Sequence, residues 1–218
     1  MYSGITGTWI CLFFHYSERM LITMIKGRTV NLRRITVSDL PMVIEWWQDR
    51  ELMKYYDELP VNSPSEMEHI LRQNISAMDR IDYIIETKKK DPIGRVFLSR
   101  INREDRNLEI HIMVGKKNRR NMFFGAEAAF LMLLHAFHRL GMHKVYGRVL
   151  EYAKEAESLQ KEMGFTREAV LKKRYFQRGK YRDALLYGLL DREFENILKL
   201  PKGQKYLAAS QGNNKAIG

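Results

Sequence analysis

Disulfide chemistry is absent from this chain: one cysteine, Cys11, in 218 residues rules out an intrachain bridge and argues against a thiolate metal site. Such usage suits a reducing cytoplasm. Long hydrophobic runs are also missing. Ile5 to Phe14 is the most apolar early segment, yet it is too short to span a bilayer, has no basic stretch before it and no small-residue cleavage pattern after it. A transmembrane helix and a signal peptide both fit it poorly. No internal repeat and no second domain can be discerned. Acidic residues are in deficit, with 26 Asp and Glu against 37 Lys and Arg, a formal charge of +11. That excess suits an anionic cofactor, nucleic acid, a ribosomal surface or anionic lipid, and charge alone does not choose among them.

What is present is enough for one domain with flanking tails. The most informative stretch runs from Leu108 to Ala128. Leu108 to Val114 alternates as a strand, Gly115 to Arg120 is a basic turn, and a helix with its apolar face beginning near Phe123 and Ala126 follows. A strand feeding a helix start through a cationic loop makes an anion site, because the first turn leaves amide N–H groups unpaired and carries partial positive charge.

Around that stretch the pattern alternates between strands and helices. Val30–Arg34 reads as a strand, and Thr36 with Asp39 as a capped helix start leading to Leu40, Val43, Ile44 and Trp47. Ser63-Pro64-Ser65-Glu66 opens a second helix reaching Met78. Tyr83–Thr87 and Arg95–Ile101 form a hairpin about a charged turn. Beyond the organising strand, Ala126 to Phe137 predicts a helix with one side on the sheet, and Gly141 is placed to end it. Val145–Leu150, a helix over Ala153–Met163, and a closing hairpin of Ala169–Gln177 and Tyr181–Leu190 complete the core, with a short helix over Asp191–Leu198. The reading is an α/β (α+β) fold: a mixed sheet with helices on both faces. We assign 1–24 to an N-terminal extension, 25–198 to the domain and 199–218 to a disordered tail. Met20 and Met24 are alternative starts.

Arg120-Asn121-Met122-Phe123-Phe124-Gly125-Ala126 resembles the acetyl-CoA-binding signature of the GCN5-related N-acetyltransferases, with Phe123 where the first signature glycine stands and Gly125 at the second. The nearest branch is that of the ribosomal-protein N-terminal acetyltransferases. Gly27–Asp49, Leu140–Val145, Met163-Gly164-Phe165 and Arg178–Leu190 match further family segments in the expected order. The resemblance implies a twisted, mostly antiparallel mixed sheet of about seven strands. It also implies acetyl-CoA as cosubstrate, bound by backbone around Ile112, Met113 and Val114 and by the loop Arg119, Arg120, Asn121, Met122, Phe123, Phe124, Gly125 and Ala126. A neighbouring strand that splays away would admit the pantetheine arm.

Acetyl transfer to an amine needs a neutral amine, an oxyanion donor and a proton for the thiolate. The resemblance makes Glu109 the candidate general base, its pKa expected to rise on burial. His111, on the same strand face, and Trp47, Tyr55 and Tyr56, around the end of the first helix, are the candidate acceptor residues. The usual tyrosine acid falls on Gln160, so no acid is assigned. Lys116, Lys117, Arg119 and Arg120 suit the cofactor phosphates. A second basic cluster from Arg167 to Arg182 interleaves with Tyr175, Phe176 and Tyr181, as RNA-binding surfaces do, although cross-strand packing is the plainer reading.

The expected activity is acetyl-CoA-dependent N-acetylation in the cytoplasm of a protein N-terminus, polyamine, amino sugar or aminoglycoside, with acidic residues near Asp49, Glu51, Asp57 and Glu58 favouring a cationic acceptor. Its rivals are a CoA-binding, RNA- or ribosome-associated module with little catalysis, and a regulatory subunit. A homodimer stays open.

Overall fold

The computed structural model describes residues 23–56, 63–120 and 122–211. The sheet has eight strands among these residues, one more than the expected seven: β1 (Met24–Lys26), β2 (Val30–Arg34), β3 (Ile81–Thr87), β4 (Pro92–Asn102), β5 (Asn107–Met113), β6 (Lys144–Leu150), β7 (Thr166–Gln177) and β8 (Lys180–Leu190). Their order is β1-β2-β3-β4-β5-β6-β8-β7. All neighbours are antiparallel except β5 and β6, which run parallel. The additional strand, β1, lies at the expected boundary of the N-terminal extension; the rest of that extension is outside the described residues.

Helices α1 (Leu40–Gln48), α2 (Arg50–Met53) and α3 (Pro64–Ser76) pack on one face. Their core joins Val43, Trp47, Leu52 and Leu71 to Ile84 and Met113. The capped start at Thr36 tightens into a 3-10 turn before α1, because Asp39 both caps it and forms an ion pair with Arg33 at 2.6 Å. Ser63 caps α3 by accepting the Glu66 amide at 3.2 Å.

The opposite face is covered by α4 (Met122–Leu134), prolonged by a π-helical turn over His135–Arg139, and by α5 (Lys154–Glu162). Gly141, at φ 68°, takes the left-handed conformation that stops the helix. We expected α4 to bury only one side, but Ala128 through Leu133 are all buried. The cause lies in the C-terminal segment. After α6 (Asp191–Lys199), residues assigned to a disordered tail form α7 (Pro201–Gln211), where Tyr206 stacks on Phe130 at 4.8 Å beside Phe194 of α6, whose ring is tilted to Phe130 at 5.7 Å. Tyr206 is buried there, and its hydroxyl donates to Glu162 at 2.9 Å. Residues 212–218 lie outside the description.

Candidate active site

Strands β5 and β6 pair only from Asn107 to Glu109 and from Lys144 to Tyr146. Beyond that point they separate, leaving a gap of about 110 Å³ between Ile110–Ile112 and Arg148–Leu150, bordered by Ala156, Leu159 and Gln160 of α5. The splay expected from the resemblance is thus a break in one parallel ladder. Gln160 borders it where the family tyrosine was expected: a side chain added at Gly147 would meet its amide nitrogen at 2.8 Å. An amide donates hydrogen bonds but is no acid at neutral pH.

The loop leaving β5 leads directly to α4, which begins at Met122, so its first amides have no helical partners. Gly115 is pressed against Trp46, whose ring would lie 2.2 Å from any Cβ there, and this fixes where the loop starts. Of the four basic residues expected to meet phosphate, two turn elsewhere. The Arg120 guanidinium points inward, donating to Asp49 at 2.6 Å and to the carbonyls of Gly115 and Val114 at 2.7 and 3.2 Å. It shapes the loop, and the arginine beside it holds the Asp49 carboxyl below its usual range. Lys116 pairs with Asp91 at 2.6 Å. Lys117 is exposed, and Arg119 keeps a buried Nε with no partner among the described residues, its guanidinium 6.0 Å from the Phe124 ring. That orphaned donor, the first-turn amides of α4 and the open gap fit a diphosphate ester carrying a long arm. Phe123 is 38% exposed under Arg28, while Gly125 and Ala126 are buried. Asn121 is outside the described residues, as is the Met122 side chain.

A larger cavity of about 420 Å³ adjoins the gap, and His111, Arg148 and Tyr175 border both. Register explains the grouping. Phe97 opposes His111 and Ser99 opposes Glu109, so all four point to one face, and the Phe97 and His111 rings stack at 4.4 Å. His111 Nε2 lies 3.0 Å from Ser99 Oγ and 3.7 Å from Glu109 Oε2. Glu109 is fully buried and held by Arg148 through two bonds, 2.6 and 3.1 Å, with Arg100 at 3.1 Å. Burial pushes its pKa up, as expected, but the neighbouring His111 and Arg148 outweigh that and bring it to about 2. The expected rise is therefore corrected.

Among the acceptor candidates, Tyr55 and Tyr56 border the gap, and the Tyr56 hydroxyl donates to the Ile112 carbonyl at 2.9 Å. Trp47 does not reach either cavity. One position further round the helix from Trp46, it lies in the core with Arg95 5.6 Å away, only 6% exposed. Met113 is likewise buried, so only its main chain is available to a ligand. The acidic residues around the end of α1 are engaged: Asp49 by Arg120, and Glu51 by Lys54 at 2.7 Å with Arg178 at 3.7 Å. Asp57 and Glu58 are outside the described residues. The closing hairpin splits: Phe176 and Tyr181 meet edge to face at 5.2 Å on the surface, whereas Arg174 and Tyr175 turn into the large cavity. Tyr175 and the arginines were missed as site residues, since nothing local in sequence marks them.

A spermidine N(1)-acetyltransferase of Vibrio cholerae is 27% identical over 77% of this chain and 96% of its own. Its Escherichia coli counterpart is 24% identical over 84% and 97%. The crystal structure of the Vibrio cholerae spermidine N-acetyltransferase in complex with CoA and spermine superposes with a TM-score of 0.71 at 27% identity, covering 77% of this chain and 99% of that one. These relatives give no support to the ribosomal-protein branch expected from sequence. No helix among the described residues is long and apolar enough to cross a membrane. The family model for the acetyltransferase (GNAT) domain matches residues 29–166, from β2 through the gap and its loop to the start of β7, and the chain belongs to that family of N-acetyltransferases.

Proposed function

We propose that this chain transfers an acetyl group from acetyl-CoA to a primary amine, with the cofactor diphosphate at the α4 start, its arm in the β5–β6 gap and the amine in the adjoining cavity. The observation that carries the reading is the continuity of a broken parallel ladder with a loop that leads into the N-terminus of α4. Bound acetyl-CoA supplies an activated thioester. Lys117, Arg119 and the first-turn amides of α4, from Met122 to Phe124, hold its phosphates, and the main chain of Ile112 to Val114 lines the arm.

His111 takes the amine proton, because it stands where the two cavities meet and an imidazole nitrogen can accept a proton. Glu109, at about 2, is too weak a base for that work. It acts as a positioning residue, a fixed negative charge 3.7 Å from His111. Tyr175, whose hydroxyl oxygen accepts from Arg148 at the same junction, is our candidate to protonate the leaving thiolate.

The spermidine acetyltransferases among its relatives make polyamines the first acceptors to test, beside N-terminal peptides, amino sugars and aminoglycosides. Calorimetry with acetyl-CoA, followed by thiol release against that panel, tests the reading. Turnover is expected with at least one amine. His111→Gln should lower kcat by about a hundredfold and leave the acetyl-CoA KM in place. Binding without release from any amine favours the second reading, a CoA-binding module, which Gln160 in place of the tyrosine supports. Sedimentation and salt-dependent RNA binding of the same sample would address the homodimer and the RNA contact.

A further inference from the structure

The cavity that receives the amine has the wrong charge for a bare polycation. Arg80, Arg100, Arg148 and Arg174 line it against two carboxylates, Asp79 and Glu109. Glu109 is bound by Arg148 and Arg100. Beneath the floor, Asp82 is shared by Arg80 and the fully buried Arg95, each at 2.6 Å, so that carboxylate offers no net negative field either. Two of the arginines are delivered by irregular backbone. The β4–β5 register shifts between Ser99 and Asn102, and Arg100 itself sits at φ 52°. The β7–β8 register shifts between Leu171 and Tyr175, and Lys173, immediately before Arg174, sits at φ 49°. Left-handed non-glycine residues in bulges are unfavourable and re-aim side chains. Here each bulge brings a guanidinium to the same cavity.

We infer that the acceptor is a primary amine that also carries an anionic oxygen group, a carboxylate or a phosphate, which Arg100 and Arg174 bind while the amine reaches His111. Guanidinium forks match both groups and pair with them by charge-assisted hydrogen bonds. This inference rests on the acetyl-transfer reading for the position of the amine, but its charge argument concerns the cavity alone.

The experiment uses the full chain with matched acceptors: a free N-terminal peptide with Asp at its second and third positions against the same peptide with Asn, an amino sugar phosphate against the unphosphorylated sugar, and spermidine. Binding of each is measured calorimetrically in the presence of CoA, and thiol release in the presence of acetyl-CoA. The anionic member of at least one pair should bind, and be acetylated, about tenfold better than its neutral partner, a ratio that falls towards one in Arg174→Gln through a rise in KM. Which pair responds distinguishes a carboxylate from a phosphate. Arg100→Gln repeats the test at the other bulge, and Arg100→Lys should restore part of the ratio. Tighter binding of spermidine, or no difference within either pair, overturns the inference whether or not acetyl transfer occurs. Anion-selective binding with no thiol release from any amine upholds the anion site at Arg100 and Arg174 but overturns the acetyl-transfer reading and, with it, the ligand's role as acceptor.

Discussion

The two sides of β5 are built from different materials. The loop that leaves its C-terminal end is made of consecutive residues, and what it offers a ligand is mostly main chain: helix amides, a splayed strand and two basic side chains. The cavity on its Glu109 face is made of side chains that arrive from the end of α3, from β4, β5, β6 and β7. A site of the first kind tolerates the loss of a side chain, because the peptide groups remain. A site of the second kind depends on its central charge having its partner, since Glu109 is fully buried against Arg148.

Arg148→Ala breaks that comparison most sharply. It leaves the fully buried Glu109 without its two bonds from the guanidinium, and we expect a loss of about 3–5 kcal/mol in urea or thermal unfolding. The same pair sets a pH signature. The folded-state pKa of Glu109, about 2, lies below its ordinary 4.5, so the carboxylate's contribution is fully present above pH 4.5 and fades as pH falls towards 2. That contribution is on the order of 3 kcal/mol. Glu109→Gln should flatten stability across this acid window while leaving its shape above pH 5 alone. A change below about 1 kcal/mol in Arg148→Ala would mean that the pair behaves as a surface salt bridge.

The same contrast explains what could be read in the sequence. The loop was legible because Gly115 to Ala126 is contiguous and the strand, turn and helix periods are visible in order. Even there Arg120 and Lys116 looked equivalent to Arg119, since their pairing with Asp49 and Asp91 spans 71 and 25 positions. The cavity was legible only along β5, where period two put Glu109 and His111 on one face. Arg148 is 39 positions from Glu109, and Tyr175 a further 27, so neither the ion pair nor the lowered pKa has a local signature. Trp47 misled because a helix end rich in aromatics reads alike whether they face a pocket or the core. The order of α7 depended on Tyr206 finding Phe130 across 76 positions, which composition does not reveal.

On the loop side the expected effects are smaller and fall on binding. Arg119→Gln and Lys117→Gln should each raise the KM for acetyl-CoA by about tenfold, with kcat and the melting temperature nearly unchanged, and the penalty should shrink at high salt. Destabilisation matching the Arg148 variant would show that the loop is held by its side chains after all, and the contrast between the two sides would disappear.

The smallest effect, and the finest test, is Phe123→Gly. Position 123 lies in the first turn of α4, where side chains tilt towards the amide end of the helix. The Phe123 ring is 38% exposed, edge-on to Phe124 at 5.8 Å and under the Arg28 guanidinium at 5.7 Å. Removing it forfeits a modest cation–π contact and adds backbone freedom at a helix end, together about 1 kcal/mol of stability. If the amides are the binding groups, clearing the ring lets a diphosphate approach them more closely, and the dissociation constant for acetyl-CoA should fall by about two- to threefold despite the weaker fold. A rise would mean that Phe123 and Arg28 together form part of the binding surface, a side-chain contribution on the side of β5 where main chain is expected to dominate. Arg28→Gln separates the two causes: it weakens binding only where the guanidinium itself meets the ligand, and is silent where the ring alone matters.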